Sequence, residues 1–114
     1  MGSMGFHRSG ELRRHPIGEG RTRVQVNTER LMMVVLDFAG GPGAKPDPPH
    51  SHPHDQISYV VSGRVRYFLG NEQADLEPGD MVTIPSGLPH SIQLLSATLR
   101  LADAFHPVRE DFLK

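Results

Sequence analysis

The sequence contains no cysteine. Disulfides, thiolate nucleophiles, zinc fingers and iron–sulfur clusters are therefore excluded. Neither sign of charge is in excess. Lys plus Arg number 12 and Asp plus Glu 13, a formal net charge of -1, so the basic patch of a general nucleic-acid binder is missing. No apolar run approaches the roughly 18 residues of a membrane-spanning helix. The opening MGSMGFHRSG is polar and lacks the apolar segment of a secretory signal. A cytoplasmic protein with neither nucleic-acid nor membrane partners is expected. Met1-Gly2-Ser3 reads as a cloning scar, with Met4 as the native start. At 114 residues there is room for one domain. With 37% hydrophobic and 22% charged residues the chain can bury a core. Such a small core gains from a second copy, and a homodimer is expected.

A sustained helical period is also absent. What the chain has instead is turn residues, 12 Gly and 10 Pro, which suit short strands joined by tight connections. Arg30 to Phe38 (RLMMVVLDF) is a continuous apolar strand. Gly40 to Pro49 holds four prolines and is a loop. Ile57–Gly63 and Arg64–Gly70 are β-rich, with Gly63 between them. Turns at Asn71-Glu72 and Glu77–Asp80 follow, then strands at Met81–Pro85, His90–Leu95 and Ala97–Phe105. Strands recurring at this spacing predict an all-β sandwich or barrel. The expected division is a scar and arm over 1–20, a barrel over 21–106 and a tail over 107–114. The arm could pack on a partner subunit, and the tail could make one helical turn starting at Pro107.

Three of the seven histidines fall within five residues, at His50, His52 and His54. In a strand, residues two apart share a face, so His50 and His52 point the same way. Gln56 has the same parity after an irregular stretch at Pro53. Converging imidazoles suit a divalent transition metal, and a side-chain carbonyl can add a ligand. His90, at the end of the turn PSGLPH, is the candidate from elsewhere in the chain. The bland alternative for an H-x-H pair is a solvated loop.

Two segments resemble the paired motifs of the cupin superfamily. HSHPHDQISYVVSG has the spacing from His50 and His52 to Gln56 and Gly63. GDMVTIPSGLPHSIQ has that from Gly79 to Pro85, Gly87 and His90. The resemblance covers Gly43 to Leu94. It implies a single-domain jelly-roll β-barrel holding one divalent metal, with zinc, nickel, iron, manganese and copper not distinguished. The implied ligands are His50, His52, Gln56 and His90. His52 with His54 is the other ligand pair that parity allows; otherwise His54 is a neighbour of the site. Two positions depart from the family pattern: Gln56 stands where Glu is usual, and Leu94 where Asn is usual. Three imidazoles and an amide leave the metal's double positive charge uncompensated. The open positions then favour an anionic or enolate-forming oxygen. The alternative is a metal-free binding barrel.

Along the last strand Leu99, Leu101, Asp103 and Phe105 share a parity. A carboxylate on an apolar face costs several kcal/mol unless it is paired or hydrated. Asp103 is therefore either an ion-pair partner, of Arg109 or Arg100, or a general base with a raised pKa. Tyr59, Tyr67, Arg64 and Arg66 lie on candidate wall strands and are read as core or surface. The ending DAFHPVREDFL resembles that of small cupins of pectin and alginate breakdown, which convert 4,5-unsaturated monouronates to linear keto sugars. This resemblance implies Asp103 and Arg109 as catalytic residues, and Phe105 and Arg109 as substrate-binding residues. It implies a small-molecule substrate and a non-redox isomerase or lyase. The competing functions are a metal-dependent dioxygenase and a non-catalytic ligand-binding cupin.

Overall fold

The computed structural model describes residues 4–113. The expected scar Met1-Gly2-Ser3 lies outside them. Seven strands form the barrel: β1 (His15–Gly18), β2 (Arg21–Asn27), β3 (Met32–Phe38), β4 (Asp55–Leu69), β5 (Glu72–Leu76), β6 (Met81–Ile84) and β7 (His90–His106). Every pairing is antiparallel. The order across the sheet is β1-β2-β3-β7-β4-β5, with β6 also paired to β4. The all-β expectation holds. No described helix is long and apolar enough to cross a membrane.

The strands predicted at Ile57–Gly63 and Arg64–Gly70 are one element, β4, bent in the middle. Those predicted at His90–Leu95 and Ala97–Phe105 are likewise one element, β7. The two run side by side from Asp55↔His106 to Leu69↔His90, with register shifts at Val60/Ser62 and Gly63/Val65. At the first, β4 carries one extra residue, Val61; at the second, β7 loops out residues 95–98 against the single Arg64 of β4, and both bend the ladder. Across the bend the buried positions of β4 change parity, from Gln56, Ser58 and Val60 to Val65 and Tyr67. The bend thus lets one strand face the interior on both sides of a corner. Gly63 sits there at φ +84, and a Cβ on it would lie 2.2 Å from the Thr98 carbonyl oxygen.

The interior has two chemically different ends. Phe38, Val60, Val65, Leu94, Leu99 and Leu101 belong to one buried apolar cluster. Met32, Val34 and Phe105 form a second. Around the second cluster lie the buried polar residues His52, Gln56, Ser58, His90 and Asp103. β2 and β5 carry no apolar run and went unread in the sequence. β1 falls in the segment read as an arm and pairs with β2 of its own chain. It carries Pro16, which an edge strand tolerates. In the tail, the helical turn is a 3-10 turn at Glu110–Leu113, three residues later than its expected start at Pro107.

Gly63→Ala is expected to lower the unfolding free energy by roughly 2 kcal/mol or more, because positive φ and a backbone clash coincide. Urea unfolding followed by circular dichroism measures it.

Candidate metal centre

Backbone pairing brings the two histidine segments together. His50 and His90 exchange both backbone hydrogen bonds, at 3.0 and 2.9 Å, forming an isolated antiparallel bridge. Opposed residues of such a pair present side chains on one side, and their rings lie 4.3 Å apart. His52 reaches the same point by a different route from the one predicted. Residues 51–54 are not a strand, so strand parity does not orient His52. Its Nδ1 instead bonds the His54 carbonyl oxygen at 3.2 Å, and its own carbonyl accepts the Gly87 N–H at 2.9 Å. Gly87, at φ +80, gives the Pro85–His90 turn the left-handed residue it needs to approach that carbonyl.

One ligand atom from each of His50, His52 and His90 lies within 4.8 Å of the others. His54 is outside this cluster. Its ring stands edge-on to His52 at 5.4 Å, and its side chain bonds the backbone of Val108 in the tail.

Tautomers follow from the acceptors. A carbonyl can only accept, so His90 Nδ1, 2.8 Å from the Leu88 oxygen, carries the proton. Its Nε2 is then a bare lone pair, buried without a partner among the described residues. His52 Nδ1 faces the His54 carbonyl oxygen at 3.2 Å and its Nε2 faces Gln56 Oε1 at 3.0 Å. Both oxygens accept, so a neutral ring, with one N–H, serves one of them and turns a lone pair to the other. With the proton on Nδ1, Nε2 and Gln56 Oε1 are adjacent lone-pair donors suited to one cation. Burial, and then neighbouring imidazoles, lower the His50 pKa; burial likewise lowers that of His90. Neutral imidazole is the form that ligates. The residues present fit a divalent metal.

Gln56 links this cluster to the carboxylate. Its Nε2 donates to Asp103 Oδ2 at 3.1 Å, which turns Oε1 towards His52. Asp103 is 3% exposed and stands directly opposite Ser58 in the β4–β7 ladder. Ser58 Oγ donates a short hydrogen bond to Asp103 Oδ1. Burial pushes the Asp103 pKa up to about 6, against the opposing pull of the Ser58 and Gln56 hydrogen bonds. The ion-pair alternative is not what the structure shows. Arg100 pairs with Asp37 at 2.7 Å and Arg109 with Asp111 at 2.8 Å.

Ser58 was not singled out in the sequence, and Tyr67 was read as core or surface. Tyr67 bonds the Ser58 side chain, and burial followed by the Asp103 charge raises its pKa. Both belong to the polar chain around Asp103. A serine opposite an inward aspartate was findable only once the strand pairing was known.

A cavity of about 630 Å³ opens onto these groups, lined among others by His50, Gln56, His90, Asp103, Phe105 and Arg109. The volume suits a small molecule. Phe105 packs edge-on to His52, ring centroids 5.7 Å apart. The Arg109 guanidinium lies 5.3 Å from the Phe105 ring centre and 4.2 Å from that of Phe112.

The cupin domain family model matches residues 38–103. This chain is a cupin. Pectin degradation protein KdgF of Dickeya dadantii is 34% identical over 99 residues, covering 85% of this chain and 87% of that protein. Among solved structures, an RmlC-like cupin from Shewanella frigidimarina superposes with a TM-score of 0.86 at 30% identity, covering 97% of each chain. KdgF from a Halomonas species gives a TM-score of 0.85 at 32% identity, covering 95% of this cupin and 99% of that chain. The jelly-roll expectation therefore holds over nearly the whole chain.

A His50→Ala/His90→Ala variant is expected to lose bound divalent metal. Elemental analysis of the purified protein should fall from near stoichiometric metal to background. Retention of the parent's metal content would contradict the assignment.

Proposed function

We propose that this cupin is a metal-assisted, non-redox enzyme that opens and ketonises a 4,5-unsaturated monouronate. The reading rests chiefly on Asp103, a buried carboxylate held by Ser58 and Gln56 beside the histidine cluster and facing the cavity. The likeness to the two KdgF proteins points to the substrate class. His50, His52, His90 and Gln56 would hold the metal, which supplies a Lewis acid for a substrate oxygen when bound.

The remaining steps belong to this chain's residues. Arg109 holds Asp111 through Nε and Nη2, which leaves its Nη1 edge to pair with the substrate carboxylate, and Phe105 packs against the sugar. Asp103, as the carboxylate, takes the proton of the hemiacetal hydroxyl. The electron pair left on that oxygen forms the aldehyde as the bond from the anomeric carbon to the ring oxygen breaks. The ring oxygen leaves as an enolate. Its electrons re-form as a ketone while the adjacent alkene carbon takes the proton back from Asp103. The product is an isomer of the substrate, so no oxidant and no water is consumed. A group that must both take and return a proton works best with a pKa near the operating pH, and burial has moved Asp103 in that direction.

A second copy is proposed on the outer face of the sheet. The register aligns Met33, Ala104, Ile57 and Thr83 in one row, and Val35, Ala102, Tyr59 and Met81 in the next. Met33, Ile57 and Met81 are exposed. Neither row carries a charge, so pairing two such faces desolvates none. An Ile57→Asp/Tyr59→Asp variant should run as a monomer in light scattering, where the parent runs as a dimer.

Asp103→Asn keeps the shape but removes the base, and turnover of an unsaturated uronate should fall roughly 10²-fold or more. Its effect on stability has the opposite sign. The folded chain holds its Asp103 proton more tightly than the unfolded one, between the ordinary value of 3.8 and about 6. In metal-free protein this carboxyl makes stability fall as pH rises through that window, and the cost persists above it. Asp103→Asn should remove that slope and hold or raise Tm at pH 7. Retained turnover with a sharply lower Tm would make Asp103 structural. Oxygen consumption by the parent would favour a dioxygenase instead.

A further inference from the structure

β2 turns its polar residues inward. Its register sets Arg21 opposite Phe38 and Arg23 opposite Leu36, and both arginines line the cavity with Arg109. Two of these three charges are already balanced. Arg21 makes a bidentate pair with Asp47 at 2.7 and 3.0 Å. Arg109 makes one with Asp111 at 2.8 and 3.3 Å.

Arg23 is different. Its Nε donates to the neutral Gln25 Oε1 at 2.7 Å, and no carboxylate bonds its Nη groups among the described residues. Its guanidinium carbon lies 4.0 Å from the Phe112 ring centre, and that of Arg109 lies 4.2 Å from the same centre. Two like charges thus share one ring at the wall of a cavity. Burial lowers the Arg23 pKa, with a smaller contribution from Arg109 acting against that of Asp111. Of the three arginines at the rim, Arg23 is the one with no carboxylate on its guanidinium among the described residues. Arg23 is also fixed in place, because the Gln25 amide that accepts its Nε–H donates to the Phe112 carbonyl of the tail.

We infer that Arg23 is a second carboxylate-binding residue of the cavity, acting with Arg109 beside Phe112 to hold the acid group of a uronate-type ligand. The inference deepens the proposed function and rests on it for the sugar frame. A carboxylate suits the one rim arginine that bonds only a neutral amide. A planar carboxylate matches the two Nη groups that Gln25 leaves open. Lysine would keep the charge without the fork. Sequence reading missed Arg23 because the valines of β2 face away from the cavity and its polar residues face in.

The test is calorimetric titration of metal-loaded protein with galacturonate, an unreactive saturated uronate, and with neutral methyl galactoside. The parent should prefer galacturonate. Arg23→Met keeps an aliphatic cover on Phe112 and should weaken galacturonate binding about tenfold or more while leaving the galactoside unchanged. Arg23→Lys should recover only part of the loss. On an unsaturated uronate, Arg23→Met should raise KM more than it lowers kcat. Three results overturn the inference: a parent without preference for the acid, undiminished galacturonate binding in Arg23→Met, or equal loss of both sugars. Arg23-dependent galacturonate binding without turnover of any unsaturated uronate would uphold Arg23 and reject the proposed reaction.

Discussion

The long antiparallel ladder between β4 and β7 is the constraint on which the rest depends. It sets Ser58 against Asp103 and Gln56 against Phe105 at one end, and Val65 against Leu94 near the corner. Because side chains alternate strictly along a strand, a slip of one residue would turn Asp103 outward and Ala102 or Ala104 inward. The apolar cluster beyond Asp103 resists that slip, since Leu99 and Leu101 would leave the core with it. Hydrophobic burial at one end of β7 thus fixes where the carboxylate stands at the other.

The polar chain around Asp103 is satisfied internally. Gln56 and Ser58 both donate to Asp103, and Tyr67 bonds Ser58. Buried polar groups cost several kcal/mol when left unpaired and little when each finds a partner. Against that background two ring nitrogens, His90 Nε2 and His54 Nδ1, are buried without a partner among the described residues, and the first belongs to the three-histidine cluster. His52 Nε2 lies 3.0 Å from Gln56 Oε1, and with its proton on Nδ1 the ring would offer a lone pair beside that oxygen. A cation among His50, His52 and His90 would take up these lone pairs together. The other pole of the cavity is built from different materials. There, guanidinium groups are held flat by aromatic rings and by paired aspartates, which keeps several positive charges together without a buried carboxylate between them.

Different features of the residues carried different parts of the outcome. The inward parity of Leu99, Leu101, Asp103 and Phe105 was readable because apolar residues alternate there and make the acid conspicuous. The histidine spacing was readable as a motif, yet the physical reason first attached to it was incomplete. His50 is placed by a backbone bridge to His90, and His52 by a loop contact to the His54 carbonyl, not by shared strand parity. The corner at Gly63 was visible as a break in the β pattern and turned out to be a bend within one strand. β2 was invisible because its pattern is inverted, with Arg21, Arg23 and Gln25 inside. Hydrophobic periodicity finds strands that line a dry core and passes over those that line a polar cavity.

The amino-acid order alone determined the class of fold, the absence of thiol chemistry and the presence of a histidine-rich, neutral donor set. These follow from composition, from turn residues and from period-two patterning, all of them local. Tertiary structure decided which groups meet. Ser58 joins Asp103 across 45 residues of chain and Gln56 joins it across 47. Arg23 reaches the ring of Phe112 from the other end of the sequence. Such contacts are set by strand register and by the bulges that turn the corner, and register is a property of two strands at once. No single stretch of sequence contains it.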